Sequence, residues 1–468
     1  MGPRQVVVIG GGVSGLAAAY ALGRLPHAPE VTVLEAAPRL GGKIDANVVG
    51  GRLVDAGPDA LLIRDPAVRA LLDELGLSAS IKAPTARGSF VWTRGALRPL
   101  PPSTLFGVPL RLRDLARSGI VSWPGLLRAT GDFVLPRMRH DADPSLGRLL
   151  RPRLGREVFD KLVDPMLGGI YAGRANLLSA RSAVPEVAAV LAPARSVYLT
   201  MRESAARRPT SPAGPTLINF PGGMSAIIEA LQARINADVH CDSAVVSVTR
   251  GKRRWKVVTA AGRTFKADDI VFATPAHETA ALLRAIDAIA ADALDAIPYA
   301  NVANVTLVYP ASALDKSLQG TGFLVPAVDD RFIVGCTWMD QKWGRAVLIP
   351  SGSEDPIGDE AVIIRASVGR HGDDRWVTMT DEEIAIRTHA ELVLSMGLKG
   401  RPLSSAVRRW PHAMPQYTAG HADRLAAAES RLAQHPGLHL VGAGYRGIGV
   451  ASCLVKSQAV AATIGANA

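Results

Sequence analysis

The chain begins with an apolar run that is typical of a buried strand. Val6 to Ile9 form this run, and from Gly10 onward the apolar positions take the spacing of a helix that continues through Leu22. A second apolar strand follows at 30–34. Strand, helix and strand in this order predict the start of a parallel sheet with helices packed against it.

Further along, the pattern predicts two more groups of strands. The first group is predicted at 43–48, 52–54, 243–249, 255–259 and 269–274, and the second at 301–309, 322–325, 332–338 and 361–368. Helical spacing dominates 103–201 and predicts single helices at 67–76, 225–235 and 381–396. The chain ends with a strand at 438–441 and a last helix. The stretch 194–216, rich in Arg, Ser and Pro, is predicted to be a mobile connection.

Glycines mark the turn between the first strand and the first helix. Gly10, Gly12 and Gly15 have the spacing that gives a tight turn, close approach to a pyrophosphate and close helix–strand packing. The N-terminus of the helix attracts phosphate groups. Glu35, at the end of the second strand, can accept both ribose hydroxyls and would repel a 2′-phosphate. The spacing predicts a dinucleotide site, and the alternative is a glycine-rich turn without a ligand.

Length and composition limit the class of protein. At 468 residues the chain is too long for one compact core, so two or three domains are expected. A hydrophobic content of 48% and a mean hydropathy of +0.16 indicate a globular chain, and no long uncharged apolar stretch predicts a membrane span. Cys241, Cys336 and Cys453 lack metal or redox spacing, which predicts buried thiols in a reducing cytoplasm.

Basic residues exceed acidic ones by 11, which favours an anionic partner. Only 5% of the residues are aromatic and no nucleic-acid-binding motif is present, so no nucleic-acid partner is expected. The excess is densest at 94–140, where apolar positions alternate with Arg94, Arg98, Arg111, Arg113, Arg117, Arg128, Arg137 and Arg139. This segment either lies on an anionic bilayer or an acidic partner, or forms a solvated helical face over a core.

Motifs beyond Glu35 resemble those of known flavoproteins. Arg39-Leu40-Gly41-Gly42 is similar to the corresponding stretch of flavin amine oxidase-like proteins, which implies FAD rather than a nicotinamide cofactor. Nearly the whole chain resembles the bacterial oxygen-dependent porphyrinogen oxidases, and most closely the coproporphyrinogen III oxidases of Gram-positive bacteria. The matching segments are 57–59, 169–173, 321–324, 336–338, 368–370, 414–417 and 447–450.

The resemblance implies an α/β fold of the flavin amine oxidase type. We expect a discontinuous Rossmann-type FAD domain at 1–85, 216–275 and 406–468, a mixed-sheet substrate domain at 86–102 and 276–405, and a helical subdomain at 103–215 for which contact with a membrane is left open. The implied reaction is oxidation of coproporphyrinogen III to coproporphyrin III in haem biosynthesis, with oxygen reduced to hydrogen peroxide. The implied location is the cytoplasm, with peripheral contact at the inner face of the membrane left open.

The resemblance also implies the residues of the site. The expected FAD contacts are Gly10, Gly11, Gly12, Val13, Ser14, Gly15, Glu35, Ala36, Arg39, Lys43, Gly57, Pro58, Asp59, Ala60, Val245, Trp410, Gly442, Ile448, Gly449 and Val450. The expected substrate contacts are Arg64, Tyr171, Thr321, Gly322, Leu324 and Arg365. Two departures stand out: 449–453 lacks the usual proline and acid of this family, and Asp59 replaces the arginine of the animal enzymes.

The charge of the substrate suggests further anchors. Coproporphyrinogen carries four propionates and guanidinium groups bind carboxylates well, so the candidates are Arg64, Arg174, Lys342, Arg345, Arg365, Arg370 and His371. Tyr171, Trp410 and Tyr417 are candidates for cavity walls, although core packing explains them equally well. No catalytic base is predicted, because hydride transfer depends mainly on position. No metal site is predicted, because the sequence has no His/Cys cluster with ligand spacing.

Several functions remain open from the sequence. A protoporphyrinogen IX oxidase is the nearest alternative. A flavin amine oxidase and a non-catalytic tetrapyrrole-binding protein are further ones, since one fold supports many functions. The expected partners are coproporphyrinogen III and oxygen, with contact to a downstream haem-pathway enzyme also left open.

Overall fold

The computed structural model describes residues 3–136, 143–191, 195–207, 215–315, 318–344, 348–349 and 360–466. The strands in chain order are β1 Gln5–Ile9, β2 Glu30–Leu34, β3 Ala46–Val49, β4 Arg52–Asp55, β5 Leu61–Leu62, β6 Phe90–Thr93, β7 Ala96–Pro99, β8 Thr104–Leu105, β9 Val108–Pro109, β10 Leu217–Ile218, β11 Asp238–His240, β12 Val245–Arg250, β13 Trp255–Thr259, β14 Thr264–Ala267, β15 Asp269–Phe272, β16 Tyr299–Pro310, β17 Gly322–Leu324, β18 Ile333–Trp338, β19 Ala361–Val368, β20 Ser404–Pro415 and β21 Leu438–Leu440.

Helices occur between these strands and at the end of the described chain. In chain order they are α1 Val13–Gly23, α2 Pro66–Glu74, α3 Leu112–Ser118, α4 Trp123–Thr130, α5 Leu146–Leu154, α6 Arg156–Val158, α7 Asp164–Tyr171, α8 Ala180–Ala183, α9 Pro185–Leu191, α10 Val197–Arg207, α11 Ser225–Gln232, α12 Ala276–Leu283, α13 Ala288–Asp295, α14 Met339–Trp343, α15 Asp381–Met396, α16 His421–Leu432 and α17 Val450–Ala466. None of these helices is long and apolar enough to cross a membrane.

A parallel sheet of five strands carries the glycine-rich turn. Its strand order is β11-β2-β1-β15-β21, and every neighbouring pair is parallel. All strands therefore end at one edge, where the loops after β1, β2, β15 and β21 meet. Strand β2, which follows β1 in the chain, lies on one side of β1, and β15 lies on the other side. A crevice therefore opens at this edge.

A second, mixed sheet faces this edge. Its order is β20-β16-β19-β18-β17-β6-β7, with only β17 and β6 parallel. Side chains alternate along β16: Val305 and Leu307 pack in a core with Ile384 of α15. Asn304 and Thr306 point the other way, opposite Ser367 and Arg365 of β19. One face of the sheet is thus apolar and buried by α15, while the polar face looks toward the loops of the first sheet.

The third layer is helical and is built from 112–136, 143–191 and 195–207. Its core contains Leu149, Leu150, Phe159 and Leu162, and Val91 of the second sheet packs into the same cluster. The helical layer therefore covers one end of the second sheet. Helix α7, which follows one wide turn at Phe159–Val163, borders both layers.

Most of the predicted elements are confirmed. The strands at 255–259 and 361–368 and the helix at 381–396 have the expected bounds, and a capping box of Thr380 and Glu383 starts that helix. The turn at Gly50 and Gly51 joins β3 to β4, and both residues have positive φ angles.

Two predictions from the pattern were wrong or incomplete. The segment predicted as a mobile connection contains α10, whose Val197, Tyr198 and Met201 are buried. The prolines and arginines around this helix hide its apolar spacing. Strand β20 was missed because Arg408, Arg409 and other polar residues interrupt its alternation. The division into domains at the residue bounds given above stays a prediction.

Candidate functional site

The glycine-rich turn is shaped by close backbone contacts. Gly10 has a φ of +108°, which favours glycine, and its N–H donates to the Leu34 carbonyl at 2.8 Å. A β-carbon on Gly15 would collide with the Gly10 carbonyl, so helix α1 packs directly on the turn. A β-carbon on Gly12 would meet only the Cα of Gly42, at 3.9 Å. Gly12 also begins α1 without a side-chain cap, which leaves the first amides of the helix for an anion.

Glu35 ties the end of β2 to this turn. Its carboxylate accepts the Gly11 N–H at 2.6 Å and the Ala37 N–H at 2.8 Å. The Glu35 carbonyl accepts the Ser243 N–H at 2.8 Å, which brings the start of β12, including Val245, beside it. Glu35 is only partly buried and Ala36 is exposed at the same edge. The predicted ribose contact of Glu35 is compatible with this placement.

Arg39 is used within its own turn. Its guanidinium donates to the carbonyls of Leu40, Gly42 and Ile44 at 3.1, 2.9 and 3.3 Å, and it pairs with Asp45 at 2.9 Å. Arg39 therefore shapes the backbone that faces Gly12. Its placement supports this positioning role rather than a direct contact of the guanidinium with a cofactor.

Lys43 places an unusual cation between the two sheets. Its ammonium group donates to the Ala413 carbonyl of β20 at 2.5 Å and lies 5.9 Å from the ring centre of Tyr299. Burial lowers the pKa of Lys43 to about 8. This group therefore loses its charge at a lower pH than an ordinary lysine does, although it stays mostly protonated at pH 7.

The polar face of the second sheet holds the loop after β4. The carbonyl of Ala56 accepts Asn304 Nδ2 and Trp410 Nε1, both at 2.8 Å. A β-carbon on Gly57 would collide with the Lys43 carbonyl, so this loop also packs tightly on the turn at Lys43. Pro58 and Ala60 continue the same loop. Trp410 was expected to contact the cofactor. In this structure its indole N–H donates to the Ala56 carbonyl and so holds the loop that is expected to line the cofactor site.

A buried ion network lies under this loop. Asp59 accepts Lys342 Nζ at 2.8 Å and Trp343 Nε1 at 3.2 Å, and it pairs with Arg365 at 3.3 Å. Arg365 also donates to the carbonyls of Asp55 and Gly57 at 2.7 and 3.0 Å. Although burial opposes ionisation, Lys342 and Arg365 hold the pKa of Asp59 well below its ordinary value.

This network revises two expectations about the substrate side. Arg365 and Lys342 were expected to anchor substrate carboxylates, but both are engaged by Asp59 in this structure. Their placement supports a positioning role for the loop at 55–60. The sequence alone offered no signal for this pairing, because the partners are far apart along the chain.

Asp55 is a second buried carboxyl group beside the loop. It accepts Asn219 Nδ2 and the Met224 N–H, both at 2.9 Å. Burial raises the pKa of Asp55 to about 6, because the charged form loses its hydration. This residue was not predicted as part of the site.

A strip with few side chains lies where the second sheet meets α7. Gly322, with a φ of +139°, pairs with Thr337, and Gly335 lies opposite Leu324. A β-carbon on Gly169 of α7 would lie 3.4 Å from the side chain of Leu324. We call Gly322, Leu324, Gly335 and Gly169 the glycine strip. Thr321, next to it, donates its hydroxyl to the Gly88 carbonyl at 3.1 Å.

Tyr171 lies behind this strip rather than on it. Its hydroxyl donates to the Ala183 carbonyl at 2.7 Å within the helical layer, and its ring lies 5.9 Å from that of Tyr417. Tyr417 in turn donates to the Ala443 carbonyl at 2.6 Å and accepts the Gly447 N–H at 2.9 Å. The expected substrate contact of the Tyr171 hydroxyl is therefore not supported, and both tyrosines position the loop after β21.

The loop after β21 closes the site on the side of α1. A β-carbon on Gly442 would lie 3.9 Å from Ser14 Oγ, and the Ser457 hydroxyl of α17 donates to the Ser14 carbonyl at 2.8 Å. A β-carbon on Gly449 would have no neighbour within 4 Å, so this backbone borders open space. Ile448 packs against the helical layer, and Val450 begins α17.

The remaining predicted cations lie apart from the ion network. Arg64 is exposed after β5, and Arg174 is exposed after α7. The His371 N–H donates to the Ala172 carbonyl at 2.7 Å. Arg345, Arg137 and Arg139 lie outside the described residues.

Comparison with known proteins identifies the family. The flavin-containing amine oxidoreductase family matches residues 13–465. The chain belongs to this family. Proteins of this family contain a flavin, which explains the glycine-rich turn. The cofactor of the site is therefore FAD.

Relatives match along nearly the full chain. The chain is 30% identical to the coproporphyrinogen III oxidase of Bacillus subtilis, over 98% of this chain and 97% of that protein. It is 34% identical to the coproporphyrinogen III oxidase of Mycobacterium tuberculosis, over 97% and 96% of the two chains. The crystal structure of a protein described as a protoporphyrinogen oxidase from Exiguobacterium matches with a TM-score of 0.87 at 28% identity, covering all of both chains.

The residues of the site fit FAD on three observations. The backbone at Gly12 has room for a pyrophosphate and the amides of α1 are uncapped. The carboxylate of Glu35 stands at the end of β2, where a ribose would lie. A β-carbon on Gly449 would meet no atom within 4 Å, so there is open space at the start of α17. The N-terminus of α17 is the second helix N-terminus at this edge. Tight packing at Gly15 and Gly57 makes these loops rigid.

Proposed function

We propose that this protein oxidises coproporphyrinogen III to coproporphyrin III with FAD, reducing oxygen to hydrogen peroxide, in haem biosynthesis. The observation that carries the proposal is the similarity to coproporphyrinogen III oxidases over 97–98% of the chain. The fit of the site to FAD supports it. The protein is thus an oxidoreductase of the porphyrinogen oxidase class.

When bound, FAD would supply the hydride acceptor for this reaction, with oxygen as the final oxidant. The chain itself contributes position, which is the main requirement of hydride transfer. Within the glycine strip Gly322 and Gly335 are buried, so Gly169 of α7 and the partly exposed Leu324 are the members that a macrocycle would contact. The loop at 55–60 is held from β16, β19 and β20 and therefore keeps a fixed distance from its neighbours. Each two-electron step also releases a pyrrole proton, which can pass to solvent or to a propionate.

The substrate preference follows from charge. The chain carries a formal net charge of +11, and a tetracarboxylate gains more from this excess than a dicarboxylate does. Amine substrates are cations, and a basic protein disfavours them. These considerations favour coproporphyrinogen over both protoporphyrinogen and an amine.

Rates measured side by side test the proposal. Purified protein loaded with FAD is expected to consume oxygen with coproporphyrinogen III and to release fluorescent coproporphyrin, faster than it forms protoporphyrin from protoporphyrinogen IX. Under anaerobic conditions, coproporphyrinogen III is expected to bleach the flavin absorbance. Faster turnover of protoporphyrinogen would favour the alternative substrate. Binding without bleaching would favour a non-catalytic tetrapyrrole-binding protein, and oxidation of a primary amine would favour an amine oxidase.

We also propose that the protein works in the cytoplasm with the helical layer resting on an anionic membrane. Trp123 and Leu127 lie one turn apart on α4 and are 80% and 74% exposed. Arg113 and Arg117 of α3 are exposed in the same layer. Apolar side chains beside arginines suit the surface of an anionic bilayer. Contact with a downstream haem-pathway enzyme stays a prediction.

Sedimentation with vesicles tests this location. The protein is expected to sediment with vesicles that contain anionic lipid and to remain in the supernatant with zwitterionic ones. Trp123→Ser is expected to weaken the binding, whereas Val246→Ser, a change at an exposed apolar residue of β12, is not. Equal binding of the two variants, or no binding by the unchanged protein, would contradict the proposal.

A further inference from the structure

Arg370 is a largely buried arginine whose side chain has no hydrogen-bond partner among the described residues and whose guanidinium nitrogens keep slight contact with solvent. It lies in the turn after β19, between Gly369 and Gly372, which both have positive φ angles. The residue is only 4% exposed. Its guanidinium group donates no hydrogen bond and has no carboxylate oxygen within 4.0 Å among the described residues. Burial lowers the pKa of Arg370, because the charged form has lost much of its hydration.

The turn that carries Arg370 is fixed to the end of α7. The N–H of His371, the next residue, donates to the Ala172 carbonyl at 2.7 Å. Gly169, about one helical turn before Ala172, belongs to the glycine strip. The charge of Asp164, at the start of α7, also acts on Arg370. Arg370 therefore lies alongside the helix that borders the proposed substrate position.

Two carboxylates lie near Arg370 without pairing with it. Asp373 accepts two hydrogen bonds of 2.7 Å from Arg375, so both of its oxygens are already engaged. Asp164 has one oxygen occupied by the Ala175 N–H at 2.8 Å. Burial raises the pKa of Asp164, which weakens it as a counter-ion. Arg174 adds a second guanidinium near Asp164. Asp164 and Asp373 thus both act on Arg370, but neither forms an ion pair with its guanidinium group.

We propose that Arg370, assisted by Arg174, binds a carboxylate of the tetrapyrrole substrate beside the glycine strip. The inference rests on the proposed function, because it names the group that recognises the same substrate. A guanidinium that has lost much of its hydration and has no partner is unfavourable, and a carboxylate satisfies it with paired N–H···O bonds. Arginine suits this task better than lysine because its donors form a planar fork.

Binding of coproporphyrin III to the FAD-loaded protein tests the anchor directly. The porphyrin and its tetramethyl ester, which lacks the negative charges, are titrated and followed by fluorescence. Arg370→Met is expected to weaken binding of the free acid by about 10- to 100-fold, as for the loss of a charged hydrogen bond, and to leave ester binding unchanged. KM for coproporphyrinogen III is expected to rise by a similar factor, with kcat changed much less. Arg253→Met, at an exposed arginine between β12 and β13, is the matched control.

Two further variants keep the proposal falsifiable if Arg370→Met fails to retain FAD. Arg370→Lys and Arg174→Met are each expected to weaken binding of the free acid by about 3- to 10-fold. The proposal is overturned if a variant of Arg370 that keeps the FAD content and melting temperature of the unchanged protein binds coproporphyrin III as tightly. It is also overturned if the ester and the free acid are affected equally.

The two proposals fail in different ways. If the unchanged protein does not oxidise coproporphyrinogen III, the proposed function fails, and binding of coproporphyrin III still reports on Arg370. If the protein oxidises coproporphyrinogen III but the Arg370 variants have an unchanged KM, only the anchor fails.

Discussion

Asp59→Asn tests how the loop beside the cofactor is held. The substitution keeps the size of the side chain and removes its charge. It leaves two cations, Lys342 and Arg365, that are only 15% and 8% exposed and have lost their shared carboxylate. The carbonyl contacts of Arg365 with the loop remain, so the effect reports mainly on the ion network.

The expected loss of stability is large for one substitution. Removing one partner of a buried ion pair costs about 3–5 kcal/mol, because the remaining charge is left uncompensated. With an unfolding entropy of about 2 cal/mol/K per residue, the 468 residues correspond to about 1 kcal/mol/K. Asp59→Asn is therefore expected to lower the melting temperature by about 3–5 °C if the chain unfolds in one step.

Thermal unfolding followed by circular dichroism, with flavin fluorescence as a second probe, measures this effect. Asp315→Asn is the matched control, because Asp315 pairs with Lys399 at 2.6 Å and both side chains are about two-thirds exposed. An exposed pair contributes about 0–1 kcal/mol, so the control is expected to shift the midpoint by about 1 °C or less. Equal shifts for the two variants would refute the reasoning about the buried network.

Three other outcomes are expected. Glu35→Ala is expected to weaken FAD retention by about 1–3 kcal/mol, because two backbone N–H groups lose their acceptor. Ultrafiltration measures the retained FAD, and the control variant Glu30→Ala is expected to have no effect. Gly15→Ala is expected to prevent folding around FAD, because the added methyl group collides with the backbone. Gly449→Ala is expected to keep the fold and to lower only the FAD affinity, because there is open space around Gly449. Equal melting temperatures of the two variants would contradict this. The pKa of Asp55 is about 6 in the folded protein against an ordinary 3.8, so the folded state favours its protonated form. This contribution to the free energy of unfolding, about 3 kcal/mol, is expected to be lost as pH rises from about 4 to about 6, with no further loss above that. Urea midpoints for the unchanged protein and Asp55→Asn measure it, and the same pH slope in both would rule out Asp55.

The parts of the site that depend on local geometry were predictable from the sequence. A glycine such as Gly15 is required by contacts within the turn, and a carboxylate such as Glu35 is fixed by the end of its own strand. The alternation along β19 and the capping of α15 are also local. Spacing along the chain carries this information because the interacting groups are close in sequence.

The ion network under the loop was not predictable in this way. Asp59 meets Lys342 across 283 positions, and the pairing exists only because β16, β18 and β19 bring α14 beside the loop. Charge alone suggested that Lys342 and Arg365 bind substrate. A basic residue has the same sequence signature whether a substrate or a buried carboxylate neutralises it.

The contacts of the loop at 55–60 connect the cofactor site to the second sheet. Asn304 of β16, Arg365 of β19 and Trp410 of β20 all bind carbonyl groups between Asp55 and Gly57. These three strands lie side by side, so the loop is held by a continuous surface rather than by its own sequence. A ligand that binds the native loop therefore stabilises both sheets, since binding shifts the folding equilibrium of every element the site requires. The glycine-rich turn is built within the first sheet alone, whereas the loop at 55–60 takes its native form only after the second sheet has formed.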